Sequence, residues 1–124
     1  MLRINLEIDV GLHRGGFNLN ELELALTFVR DHQHLDFSGF MGYEPHVAAL
    51  PEIFGWQKSS LLDAWSIYRK AIDLADNRLG SSAINKATRN AAGSKTYRFY
   101  ENTSIANELS IGSALVKPSG FDDP

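Results

Sequence analysis

Residues Arg3 to Val10 alternate without a break: Ile4, Leu6, Ile8 and Val10 fall on one side, and Arg3, Asn5, Glu7 and Asp9 on the other. A period of two predicts a strand. Its polar row restricts the fold further, because a strand covered by helices on both faces reads as a continuous apolar run. This face therefore meets solvent or lines a polar interior. The strand runs into Gly11-Leu12-His13-Arg14-Gly15-Gly16, a loop with permissive backbone and one arginine.

The rest of the chain repeats the theme. Asn18 or Asn20 caps a helix with Glu21 and Glu23 in its first turn and Leu22, Ala25, Leu26 and Val29 at helical spacing. Leu35 to Met41 reads as a second strand, ending in Gly42-Tyr43-Glu44-Pro45-His46. After Pro51 and Gly55, Ser59 or Ser60 caps a helix running to about Arg78, with Leu62, Trp65, Ile67 or Tyr68, and Ile72 buried. Ala87 to Ala91 is weakly strand-like, Gly93-Ser94 opens a helical turn through Tyr100, and Ile105 to Leu109 is a last strand before a Gly112-Ser113 turn. Strands alternating with helices predict an α/β protein with a parallel sheet, whose ligands bind at the C-terminal ends of the strands. A barrel of eight such units needs about 250 residues. The 124 residues here supply about half, so the expected fold is a partial (β/α)8 barrel, part of a larger protein or a protomer needing a partner.

Composition removes several functions. A net charge of −3 gives no basic face for nucleic acid. The absence of cysteine removes disulfides, thiolate metal sites and cysteine nucleophiles. No apolar run approaches the roughly 18 residues of a membrane helix, and the charged, alternating N-terminus is no signal peptide. A soluble, cytoplasmic protein is expected.

Candidate chemistry lies at the strand ends. A Gly93-Ser94-Lys95-Thr96 turn opening a helix offers N–H groups, hydroxyls and a positive dipole end to a phosphate, or is simply an unliganded cap. Gly112-Ser113 is a second such turn, and neither fits the pattern of a nucleoside triphosphate loop. Arg14 suits a fixed anionic oxygen, or pairs on the surface with Glu44 or Asp9. Tyr43 stacks on a planar ligand or packs. His13 and His46 could meet across adjacent strand ends, whereas His32 and His34, two apart on a helix, should diverge. With no third ligand evident, no complete metal site is expected.

Four blocks carry a family resemblance: IDVGLHRGGF, SGFMGYEPHVAALP, NAAGSKTY and NELSIGSALVKPSGFD. In order and approximate spacing they resemble the D-threonine aldolase and D-serine dehydratase-like family, which shares the alanine racemase barrel of the fold-type III pyridoxal 5'-phosphate (PLP) enzymes. The resemblance covers nearly the whole chain. It implies that Arg14 bonds the phenolic oxygen of PLP and that Tyr43 lies at the cofactor ring. Gly93, Ser94 and Thr96 then form one arm of a phosphate cup and Gly112 and Ser113 the other, with His13 as a pocket neighbour; His46, at the end of the second strand, is a further candidate for the pocket. It also implies a D-amino acid substrate and a homodimer.

Two departures stand beside this. Family members attach PLP to a lysine on the first barrel strand, which should lie before Met1, and Lys58, Lys70, Lys86, Lys95 and Lys117 fall in the wrong blocks to replace it. Members also carry a C-terminal β-domain that binds a divalent metal. Residues 1–117 are thus expected to form the partial barrel and 118–124 a tail toward that domain. Lys95 stands where a proline is common, which would loosen the phosphate turn. The expectation is a part of a PLP-dependent lyase that cleaves or dehydrates 3-hydroxy D-amino acids, inactive by itself. A non-catalytic PLP-binding or interaction module, a truncated gene product and an amino-acid racemase are the alternatives.

Overall fold

The computed structural model describes residues 1–116. The expected tail, and Lys117, lie outside the described residues. Four strands form one parallel sheet in sequence order: β1 (Leu2–Ile8), β2 (Leu35–Gly42), β3 (Thr88–Ala91) and β4 (Glu108–Leu109). The helices are α1 (Leu19–Asp31), the single turn α2 (Pro45–Ala48), the long α3 (Trp56–Leu79) and the short α4 (Ser81–Lys86). This is the α/β alternation expected for part of a (β/α)8 barrel.

β1 stops at Ile8 rather than Val10. The Asp9 carboxylate accepts from the N–H groups of Gly11 and His13, turning the chain, while Phe17 returns to exchange backbone bonds with Glu7 and Asp9. The alternation survives: Leu6, Ile8 and Val10 are buried, and Leu6 and Ile8 join Leu22, Leu26, Phe40 and Tyr68 in the core. The Asn5, Glu7 and Asp9 row therefore lies on the sheet face away from the helices. In β2 the partner of Ile4 is Phe37 and that of Asn5 is Gly39, so Ser38 is an extra, bulged residue. Gly39 has φ +152° and presses on the Thr88 peptide, where a Cβ would overlap backbone atoms.

Asn18, not Asn20, caps α1. Its side chain accepts from the N–H groups of Asn20 and Glu21, and Glu21 returns a bond to the Asn18 N–H, which completes a capping box. The helix ends at Asp31, so His32 and His34 sit beyond it with their ring centroids 5.8 Å apart, rather than diverging along it.

α3 starts at Trp56, without the expected serine cap. Gly55, at φ 70°, closes a 3-10 turn (Glu52–Phe54) and admits the chain directly to the helix. Its fully buried face is Ala64, Tyr68, Ala71 and Ala75, while Trp65, Ile67 and Ile72 are half-buried and Leu62 is exposed. The four residues recur at 4-3-4 spacing, and the three alanines among them bring the helix close to its neighbours. α4 follows a break at Gly80 and was not foreseen.

β4 is shorter than the expected Ile105 to Leu109. Before Glu108 side chains take over beside a single backbone bond from the Asn107 N–H to the Arg89 carbonyl: the Arg89 N–H donates to Asn107 Oδ1, Arg89 Nε to the Ile105 carbonyl, and Asn107 Nδ2 to the Ala87 carbonyl.

Candidate functional site

The C-terminal ends of β2, β3 and β4 converge on a cleft of about 250 Å³, lined by Tyr43, Pro45, Ala48, Ala49, Gly93, Ser94, Lys95, Thr96 and Ser113. Two turns build it. After β3 the chain passes through Ala92, at φ 65°, into Gly93-Ser94-Lys95-Thr96. After β4 it passes through Gly112-Ser113. The Ser94 hydroxyl joins them, accepting from the Gly112 N–H at 3.2 Å and the Ala114 N–H at 3.0 Å. Ser94 thus caps the neighbouring turn instead of its own. Among the described residues the amide N–H groups of Ser94 and Ser113 have no acceptor.

Gly93 is set by Tyr43, because a Cβ there would lie 2.7 Å from Tyr43 Cε2. The same ring carries Arg14 over a face, with the guanidinium carbon 4.9 Å from the ring centroid. A cation over an aromatic face is attracted by the ring quadrupole. The weak ionic partner of Arg14 is Glu7, at 3.8 Å, and not Glu44 or Asp9. Glu7 belongs to the polar row of β1, so that row supports the one arginine of the loop.

Thr96 is almost fully buried. Its hydroxyl donates to Glu44 Oε1 at 2.7 Å and accepts from the Gly93 N–H at 3.0 Å, so it shapes the turn from beneath. Glu44, only 1% exposed, also accepts from the Ala92 N–H through Oε2 at 3.3 Å. The sequence reading missed this carboxylate as a site residue, since a glutamate between a tyrosine and a proline looks like a loop charge. It also missed the cleft-lining position of Lys95.

The two histidines stand apart from the cleft lining. His13, at φ 55°, places Nδ1 2.7 Å from Asp9 Oδ2. Burial alone would raise the Asp9 carboxyl, but bonds from the His13 backbone and ring and the Gly11 N–H outweigh it and hold the carboxyl below its usual value. His46 packs under Gly11, and its buried Nδ1 has no partner among the described residues. His13 is committed to Asp9, and no cluster of three metal-ligating side chains occurs among the described residues.

The fold has solved relatives. D-threonine aldolase from Filomicrobium marinum superposes with a TM-score of 0.68 at 22% identity, over 98% of this chain and 34% of that one. Alanine racemase from Corynebacterium glutamicum gives 0.62 at 19% identity, over 91% of this chain and 28% of the other. An alanine racemase-like protein from Idiomarina loihiensis gives 0.58 at 23%, over 90% and 28%. The chain therefore spans about a third of the length of these relatives, and such identities establish the fold alone. No curated protein sequence matches. The sequence profile described as "Alanine racemase, N-terminal domain" matches residues 1–119, nearly the whole chain, and by that match the chain belongs to the alanine racemase N-terminal domain family, of fold-type III.

Proposed function

We propose that this chain is the cofactor-holding part of a PLP-dependent lyase acting on 3-hydroxy D-amino acids, of the D-threonine aldolase or D-serine dehydratase type. Alanine racemase-type proteins depend in general on PLP. One observation carries the reading: the Ser94 hydroxyl ties the Gly112-Ser113 turn to the Gly93-Ser94 turn, beside a tyrosine whose ring carries Arg14.

The residues present fit the group. A phosphate monoester needs several N–H donors on one spot, which the Ser94 and Ser113 amides supply, with Gly93 and Gly112 shaping the backbone around them. A planar ring needs a flat neighbour, and Tyr43 lines the cleft. A phenolic oxygen needs a fixed cation, and Arg14 donates without ever losing its charge. PLP, when bound, supplies an electron sink. The protein groups bind and orient it: Tyr43 limits its tilt, Arg14 favours the ionised phenolic oxygen, and Thr96 holds the turn.

Lys58 and Lys70 lie on α3 and Lys86 ends α4; of the described lysines, Lys95 lines the cleft. None falls in the block that the family resemblance gives the anchoring lysine, so the reading assigns no anchoring lysine here and holds the chain by itself inactive. The divalent metal and a homodimeric assembly belong to the same proposal, as does a cytoplasmic location; no helix among the described residues is long and apolar enough to cross a membrane. The purified chain should show a saturable change in PLP absorbance that inorganic phosphate competes away, and no glycine from D-threonine or pyruvate from D-serine. A flat titration would refute the cofactor site, and steady product would refute the inactivity. The racemase reading rests on the family match and the Corynebacterium glutamicum relative; chiral chromatography after incubation with D-alanine separates it, with L-alanine as its signature.

A further inference from the structure

We propose that Glu44 is the positioning residue of the anion cup, a buried brace that keeps the strained Ala92 turn in the shape that aims the Ser94 and Ser113 amides. The inference rests on the proposed cup. Ala92 holds φ 65° with 2% exposure. A left-handed alanine is unfavourable and persists only where its surroundings over-determine it.

Those surroundings are Glu44. Its two oxygens accept from Ala92 N–H at 3.3 Å and Thr96 Oγ1 at 2.7 Å, and Thr96 Oγ1 in turn accepts from Gly93 N–H. Three consecutive constraints on residues 92–96 thus pass through one carboxylate at the end of β2. Glu44 is the residue after Tyr43, so the brace also links the turn to the ring that packs on Gly93. Pro45, the first residue of α2, holds the next φ near its ring-imposed value and stiffens the support of the carboxylate.

The bonding pattern makes the carboxylate specific. Each oxygen acts as an acceptor. A glutamine that keeps the bond to Thr96 turns an NH₂ against the Ala92 N–H, and in the reverse orientation its NH₂ donates to Thr96 Oγ1 but leaves the Thr96 hydroxyl proton without its acceptor. A buried donor left without an acceptor loses a bond and keeps its desolvation cost. Glu44→Gln is therefore predicted to release the turn although it preserves shape.

The test uses the full chain. Amide hydrogen exchange at Ala92 and Gly93 is measured by NMR, together with shifts of the Ser94 and Ser113 amides on titration with inorganic phosphate and with PLP. E44Q should speed Ala92 exchange and weaken phosphate binding by roughly tenfold to a hundredfold, the loss expected for a hydrogen bond to a charged group. Ala92→Gly, which removes the left-handed penalty, should restore most of the affinity in the E44Q background, an outcome that general destabilisation would not give. If E44Q does not fold, Thr96→Val should reproduce the loss and Thr96→Ser should restore it. Wild-type exchange and affinity in E44Q, or in T96V, would overturn the brace. Absence of any Ser94 or Ser113 shift in the wild type would refute the cup instead, with Ala92 exchange in E44Q still deciding the role of Glu44.

Discussion

Gly93 and Tyr43 show how tightly single residues are specified at this site. With a Cβ only 2.7 Å from the ring, Gly93→Ala must push Tyr43 away or shift the turn. Overpacking of this kind costs about 1–3 kcal/mol. G93A should lower the thermal midpoint and abolish competition between phosphate and PLP, because the ring and the Ser94 amide move together. Urea unfolding and a PLP titration read the two effects separately; unchanged binding with lowered stability would show that Gly93 serves packing only. Asp9 is the opposite case. Its contacts with Gly11 and His13 lie in the loop that presents Arg14, so the turn of that loop is written in a local bonding pattern.

At the level of elements, α1 depends on its first turn and α3 on its buried face. The capping box of Asn18 and Glu21 satisfies N–H groups that have no partner within the helix. Asn18→Ala should cost about 1 kcal/mol, visible as a lower unfolding midpoint with the denaturant slope unchanged. An Asn20→Ala control should be nearly silent, since the Asn20 contribution is its backbone N–H. α3 is pinned to β3 by the Tyr68 hydroxyl, which donates to the Asn90 carbonyl at 2.9 Å, and to α1 by an ion pair between Arg78 and Glu23. Alanines at 64, 71 and 75 give it the close approach that larger side chains would prevent.

The molecule as a whole carries two pH-sensitive phenols in its core. Burial raises Tyr68, with the Glu44 and Glu108 charges adding to the effect and Arg89 opposing it; burial and the Glu44 charge raise Tyr100. An unfolded tyrosine ionises near pH 10, so the unfolded chain releases these protons first. The stability they contribute is complete below about pH 10 and falls as pH rises toward their folded values, by at most about 1.4 kcal/mol per pH unit for each phenol. Urea unfolding between pH 8 and 11 should show this slope, and Tyr68→Phe should reduce it by one tyrosine's share; a flat profile in the wild type would contradict the assignment. The other feature at this scale is exposure. The outer edge of β1 is bridged at Ile8 by Phe17, and an apolar groove of about 500 Å³ beside it is lined by Ile4, Leu6, Leu24, Phe28, Val29 and Leu35. In a closed barrel such an edge is paired and such a face is covered.

The sequence by itself determined the alternation of strands and helices, the polar and apolar faces of β1, and a start of α1 capped by Asn18 or Asn20 with Glu21 in the first turn. These depend on periods of two and 3.6 and on bonds a few residues long, which local patterning records. Only the tertiary structure decided which side of α3 is buried, because Leu62 and the alanines lie on opposite sides of the helix and close packing favours the side that carries Ala64, Ala71 and Ala75. β4 is short because Arg89 and Asn107, 18 residues apart, share one backbone bond and the Asn107 side chain takes the Arg89 N–H. The two glycine-serine turns were legible separately, but their union through Ser94 needed β3 and β4 to lie side by side. Glu44 was hidden for the same reason: its two donors lie 48 and 52 positions away, and only burial against β3 makes a loop glutamate the support of the turn.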